Sequence, residues 1–201
     1  ERIIEEFMLT ANEAAARFSA ERELPFVYRV HEPPPEAKTA ALCETLTRLN
    51  IEYPPFEEFK PVHAETILEN ARGTDKFEAV NMMVLRSMAK ARYDSKPLGH
   101  FGLALRDYAH FTSPIRRYPD LAIHRIITDS LAGYDKTWIN KRYTPFAQTA
   151  AEESTNAEID AVSIERECED IYKAEFMKQH IGESFVGHIS GVTEFGFYVR
   201  L

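Results

Sequence analysis

The sequence predicts an α+β fold dominated by helices, and three observations lead there. Apolar residues recur at helical spacing over most of the chain, the strand-like runs are few and short, and near Gly182 the period changes from helical to alternating. With 201 residues, 44% of them hydrophobic and 28% charged, the chain is long enough for one good core or two small ones.

The elements follow in order. Ile4, Phe7, Met8, Ala11, Ala14, Ala15 and Phe18 mark a first helix that is already under way at Glu1, with no capping residue before it. The chain also closes inside the strand-like FGFYVRL, so both ends read as cuts from a longer polypeptide. LPFVYRVH is a short buried strand, stopped by PPPE, which opens a helix reaching about Asn50 with Leu42, Leu46 and Leu49 on one face. EYPPFEEFKP is a loop by its prolines. Pro61 then occupies the first turn of a short helix around Ala64 to Glu69. Thr74 can cap the next helix, whose Phe77, Val80, Val84 and Met88 predict about four turns ending near Ala91. From Tyr93 to Tyr118, Pro97, Gly99, Gly102 and Pro114 interrupt every apolar run, which predicts irregular loop with a brief strand at FGLAL. A helix from Tyr118 to Leu131 stops at Gly133, and Thr144-Pro145 opens a long one to about His180. SFVGHIS and EFGFYVRL then read as two strands joined through a Gly-Val-Thr turn; two strands alone do not make a stable domain.

Composition bounds the function. No run approaches the ~18 apolar residues of a membrane span, and the acidic ERIIEEF is unlike a signal peptide. Cys43 and Cys168 stand far apart with no partners at metal-ligand spacing, which suits a reducing, cytoplasmic setting. A net charge of −8 excludes adhesion to nucleic acid by bulk charge, so such a function needs a local basic patch.

One is present. Between Arg86 and Arg125 lie eight basic residues against Asp94, Asp107 and Asp120, with Tyr93, Phe101, Tyr108, Phe111 and Tyr118 interleaved. That combination can hold phosphates by charge and bases by stacking, although a solvated surface over core aromatics would spell the same way. In HFTSPIRRYPDLAIHR, Pro114 restrains a turn before a helix, and Arg116 and Arg117 stand near that helix's start, where backbone N–H groups favour an anion. Arg117 could equally pair with Asp120 one turn later. Ser113 lacks the flanking glycines of a nucleophile elbow, and His124 has the placing of a packed, hydrogen-bonded histidine.

GHFGLALRDYAHFTSPIRRYPDLAIHR closely resembles the signature of the ribonuclease R and ribonuclease II family, processive 3′-to-5′ exoribonucleases built on the RNB catalytic domain. RIIEEFMLTANEAAA, PFVYRVHE and VLRSMAKARYD resemble further blocks of that family in the expected order and favour its ribonuclease R branch. GESFVGHISGVTEFGFYVRL is similar to the opening of the OB-fold RNA-binding domain, of ribosomal S-one type, that follows the catalytic domain. The resemblance therefore implies residues 1–181 as the C-terminal part of an RNB domain and 182–201 as the first strands of an OB-fold β-barrel.

It also implies roles. Arg116 matches the arginine that contacts the scissile phosphate and stabilises its developing charge. Glu165, in SIERECEDIY, matches a glutamate that helps hold the terminal nucleotide, although its acidic helix would otherwise read as a solvated face. Glu6 matches a glutamate linked to ribose recognition, with Glu5 as the alternative one residue away; Asn12 is a weaker candidate from the same helix. Arg117 and Tyr118 join the RNA-binding set. Phe195 and Tyr198 match the aromatic pair that such OB-folds offer to bases, which at a spacing of three requires a bulge near Gly196. The implied partners are single-stranded RNA and the N-terminal part of the same polypeptide, in a monomer. The implied cofactor is Mg²⁺, which, held by closely spaced aspartates, activates a water and clamps the scissile phosphate. Those aspartates lie upstream in the family and none of that block occurs here, so the expectation is a chain inactive by itself within an active enzyme. An RNB-like scaffold that binds RNA without cleaving it is the alternative.

Overall fold

The computed structural model describes residues 2–200. They form α1 (Arg2–Arg22), β1 (Tyr28–Val30), α2 (Glu36–Arg48), α3 (Pro61–Ala71), α4 (Phe77–Ser87), β2 (Arg92–Asp94), α5 (Tyr118–Leu131), α6 (Lys136–Met177), β3 (His188–Thr193) and β4 (Gly196–Arg200), with 3-10 turns at Phe101–Leu103 and Lys178–His180. The helix-rich α+β class is the one the sequence predicts. Two compact units divide within α6, Glu1–Ala157 and Glu158–Leu201.

The first unit contains two apolar cores. One gathers Ala15 and Ala16 of α1, Phe26 to Tyr28 and Val30 around β1, Ala122, Ile123 and Ile126 of α5, and Ile139, Tyr143 and Ala147 of α6. The buried positions of α1, namely Asn12, Ala15, Ala16 and Ser19, recur at three and four residues and are all small, which lets neighbouring backbone approach closely. The other core joins Leu42 and Leu46 of α2, Ile67 and Ala71 of α3 and Val80 and Val84 of α4. Fully burying side chains of this kind stabilises by roughly 1.5–3 kcal/mol each.

Four elements differ from expectation. FGLAL is not a strand: Phe101–Leu103 coils into a 3-10 turn, His100 Nδ1 accepts the Leu103 N–H at 3.2 Å, and Ala104 takes a left-handed conformation at φ 54°. The strand partner of β1 is instead β2, antiparallel, with Tyr28 opposite Asp94 and Val30 opposite Arg92. α4 ends at Ser87 rather than Ala91, because the chain must extend from Met88 to reach β2. Thr74 Oγ1 accepts the Lys76 N–H at 3.2 Å, so it shapes the turn before α4 without capping the helix itself. α6 begins at Lys136, nine residues ahead of Pro145. Asp135 starts it, its Oδ1 accepting the Trp138 N–H at 3.0 Å, and buried Ile139, Tyr143 and Ala147 hold one face to the core through the proline.

In the second unit β3 and β4 pair antiparallel, with Val192 opposite Phe197. Gly191, Val192 and Thr193 belong to β3, and the turn is Glu194–Phe195. The register irregularity lies in β3 between Ile189 and Gly191, not near Gly196. Phe195 sits in the turn, so no bulge beside it is required.

Candidate functional site

The segment from Gly99 to Arg117 has little regular structure, yet side chains from distant elements hold it throughout. At its start, the Gly102 N–H donates to His31 Nδ1 at 3.0 Å while His31 Nε2 donates to the Ala89 carbonyl at 2.9 Å. Only glycine fits at 102, because a Cβ there would stand 2.8 Å from His31 Nδ1. In its middle, edge-to-face rings form a ladder: His31 on His100, His100 on Tyr108, Tyr108 on His110, and His110 on Tyr93. Burial, reinforced by Arg117 and Arg29, pushes the His110 imidazole down to about 3; burial, with His31 and Arg29, pushes His100 to about 4.

At its end three consecutive backbone N–H groups are taken by two buried side chains. Asn12 of α1, 4% exposed, accepts from Phe111 at 2.9 Å and Thr112 at 3.2 Å through Oδ1, and its Nδ2 donates to Tyr108 Oη at 3.1 Å. Asp120 of α5, 0% exposed, accepts from the Ser113 N–H at 2.8 Å and from Arg117 Nη2 at 2.8 Å, both on Oδ1. His124 Nε2 donates to the Phe111 carbonyl at 2.9 Å, and the two rings stack at 4.2 Å. The turn itself closes when the Arg116 and Arg117 N–H groups both donate to the Ser113 carbonyl, at 3.3 and 3.1 Å.

The outcome for the candidate residues is specific. Arg116 is exposed at the tip of the turn and, among the described residues, its guanidinium has no hydrogen-bond or ion-pair partner. Arg117 is the ion-pair partner of Asp120, with its Nε buried and unpaired. Asn12 is buried and engaged with the loop, so the structure gives it a structural task where the sequence suggests contact with RNA. A groove of about 410 Å³ beside the loop is lined by Ile4, Glu5, Met8, Asn12, Tyr108 and Arg117 among others. Glu5, not Glu6, shares the Asn12 face of α1, because positions 5 and 12 lie two helical turns apart; Glu6 is exposed on an adjoining face.

The interleaved aromatics prove to be largely core. Tyr93 and Tyr108 are buried and Phe111 packs against the first core, which leaves Tyr118 as the exposed ring of the five. Among the basic residues, Arg92 pairs with Glu32 and Asp94. Arg86, Lys90, Lys96, Arg116 and Arg125 are exposed without an ion pair among the described residues. What these residues present is thus exposed positive charge more than exposed aromatic rings.

In the second unit, Glu165 is exposed on α6 among acidic neighbours. Phe195 is 99% exposed in the hairpin turn, and Tyr198 is exposed on β4 opposite Gly191. Among the described residues no group of three or more His, Cys, Asp or Glu side chains is placed to hold a metal ion, so the residues present do not fit a magnesium cluster. No described helix is long and apolar enough to cross a membrane.

Sequence reasoning did not single out Tyr108 and Asp120 as supports of the loop. Asp120, at the third position of α5 and three residues after Arg117, carried a signal as an ion-pair partner; Tyr108 carried none.

For this helix-rich α+β fold and its arginine-bearing loop a family model gives the class: the RNB domain matches residues 1–133, and the chain belongs to that family. Among its relatives, ribonuclease R of Aquifex aeolicus is 42% identical over the whole of this chain and 28% of its own length. Ribonuclease R of Escherichia coli is 39% identical over the whole of this chain and 26% of its own. The solved structure of Mycoplasma genitalium RNase R in complex with ribose-methylated single-stranded RNA superposes with a TM-score of 0.90 at 31% identity, covering 98% of this chain and 31% of that one. The chain therefore spans under a third of the length of these proteins.

Proposed function

We propose that this chain is part of a 3′-to-5′ exoribonuclease of the ribonuclease R type, in which it grips the scissile phosphodiester of single-stranded RNA. The observation that carries the reading is Arg116: a permanently charged, planar donor, exposed and unpaired among the described residues, on a turn whose preceding backbone is fixed by hydrogen bonds. A donor set in place before the reaction stabilises charge that builds on phosphate oxygens without the cost of reorganising at that moment. Membership of the RNB family and the RNA complex of the M. genitalium relative support the substrate class.

In this reading RNA is hydrolysed from its 3′ end to nucleoside 5′-monophosphates. Within the first unit, Glu5 or Glu6 takes part in ribose recognition, and Tyr118 and the exposed basic residues hold the strand; in the second unit, Glu165 helps hold a terminal nucleotide. Residues 182–201 open an OB-fold whose Phe195 and Tyr198 offer their rings to bases. A magnesium requirement would need ligands from beyond the described residues, among which no group of three or more His, Cys, Asp or Glu side chains is placed to hold an ion.

The test is the kinetics of the enzyme that carries this chain on 5′-labelled single-stranded RNA. Arg116→Ala is expected to lower kcat by roughly 10²-fold or more while changing RNA Kd little. Loss of binding without loss of turnover, or no degradation by the parent enzyme, contradicts the reading.

A further inference from the structure

We propose that Asn12 and Asp120 are positioning residues for Arg116: together they fix the backbone of residues 111–113 and so set where the arginine's turn stands. The inference rests on the reading of Arg116 given above and assigns the two buried residues a part in the reaction without contact with RNA.

The geometry has three parts. First, the bonds are long-range and converge from two sides. Asn12 Oδ1 reaches Phe111 and Thr112 from α1, about a hundred residues earlier in the chain, while Asp120 Oδ1 reaches Ser113 from α5. Second, both acceptors are buried, where a lost partner leaves N–H groups unsatisfied and bonds to a charged group are stronger than in water. Third, a single tight turn, Ser113 to Arg117, joins the clamped amides to the arginine. Ser113, the last of them, supplies the carbonyl that accepts the Arg116 and Arg117 N–H groups, and Arg117 returns to the same Asp120 oxygen. The braced path from α1 through the loop to α5 therefore brackets Arg116, with Ser113 three residues before it and Arg117 directly after it.

Tyr108 keeps Asn12 in orientation. Its hydroxyl accepts from Asn12 Nδ2, which leaves Oδ1 turned to the two amides. Misplacing a charge-stabilising donor by about an ångström costs on the order of 10²-fold in rate, even when the substitution lies away from the reacting atoms.

A double-mutant cycle in the enzyme that carries this chain tests the assignment. Asn12→Leu, which keeps the volume and removes the acceptor, is expected to lower kcat by roughly 30-fold or more with RNA Kd held within about twofold. Asn12→Asp, which restores an acceptor oxygen, is expected to recover most of that loss. In the Arg116→Ala background the same Asn12→Leu change is expected to cost less than about threefold, because the group it positions is gone. Equal losses in both backgrounds overturn the proposal while leaving the role of Arg116 intact. An Arg116→Ala enzyme with normal kcat overturns the underlying reading and the proposal with it. Should Asn12→Leu fail to fold, Asp120→Asn is carried through the same cycle, with the same non-additivity expected and additivity counting against the proposal.

Discussion

The loop from Gly99 to Arg117 and the part of α6 from Glu158 to Met177 are opposites in how they are held. The helix is regular along its length, yet Ile159, Ile164, Ile171 and Phe176 are exposed on it and its acidic side chains face solvent. The loop repeats no backbone pattern, yet the amides of Gly102, Leu103, Phe111, Thr112 and Ser113 are taken by His31, His100, Asn12 and Asp120. Regularity and fixity are therefore separate properties. A helix satisfies its own backbone and leaves its side chains to whatever meets them, whereas a loop becomes exact only when buried side chains from elsewhere complete its hydrogen bonds. Arg116 and Glu165, both proposed above to act on RNA, stand on these two kinds of support.

The contrast can be broken from the loop side first. Asp120→Ala strands the partly buried Arg117 and the Ser113 N–H, and is expected to destabilise the first unit by about 3–5 kcal/mol, read from urea unfolding. A loss under ~1 kcal/mol would mean that the loop is not held as described.

Acid attacks the same region. His110 and His100 are held neutral at about 3 and about 4, below the ordinary 6.5, chiefly by burial. The unfolded chain therefore binds more protons across the window between those values and 6.5. The stability these rings contribute is complete above pH 6.5 and is lost as pH falls toward 3. Tm is expected to be lower at pH 4.5 than at pH 7.5, with His110→Gln flattening that fall; an identical slope in the variant would place the acid sensitivity elsewhere.

The helix side sharpens the contrast by what it tolerates. Ile164→Ala, on an exposed face, is expected to change stability by no more than about 0.5 kcal/mol in thermal unfolding of the same protein. A core-sized loss would show that this face is covered.

Much of this was legible in the sequence, and for identifiable reasons. α5 runs from Tyr118 to Leu131 as predicted because Pro119 and Gly133 punctuate it, and α3 starts at Pro61 for the same reason. Local punctuation is written in local residues. β2 was not legible, since three residues gain a strand's identity only by pairing with β1 more than sixty positions earlier. The start of α6 was misplaced because Pro145 resembles a first-turn proline, while the real cap, Asp135, lies ten residues before it. At the site, the turn and the exposed placing of Arg116 on it were legible from their spelling. That Glu5, not Glu6, shares the Asn12 face needed the helix geometry, and the bonds of Asn12 needed a contact with residues about a hundred positions away. Interleaved aromatics gave the least reliable signal, because a ring that packs a loop and a ring that stacks on a base are the same residue types.

The central claim, that the arginine's loop is braced as firmly as a helix, is tested most directly by amide hydrogen exchange in the protein that carries this chain. The Phe111, Thr112 and Ser113 amides are expected to exchange as slowly as those of buried Ile123 and Ile126 in α5. Exchange of these three as fast as that of the exposed segment 183–187 would contradict the account.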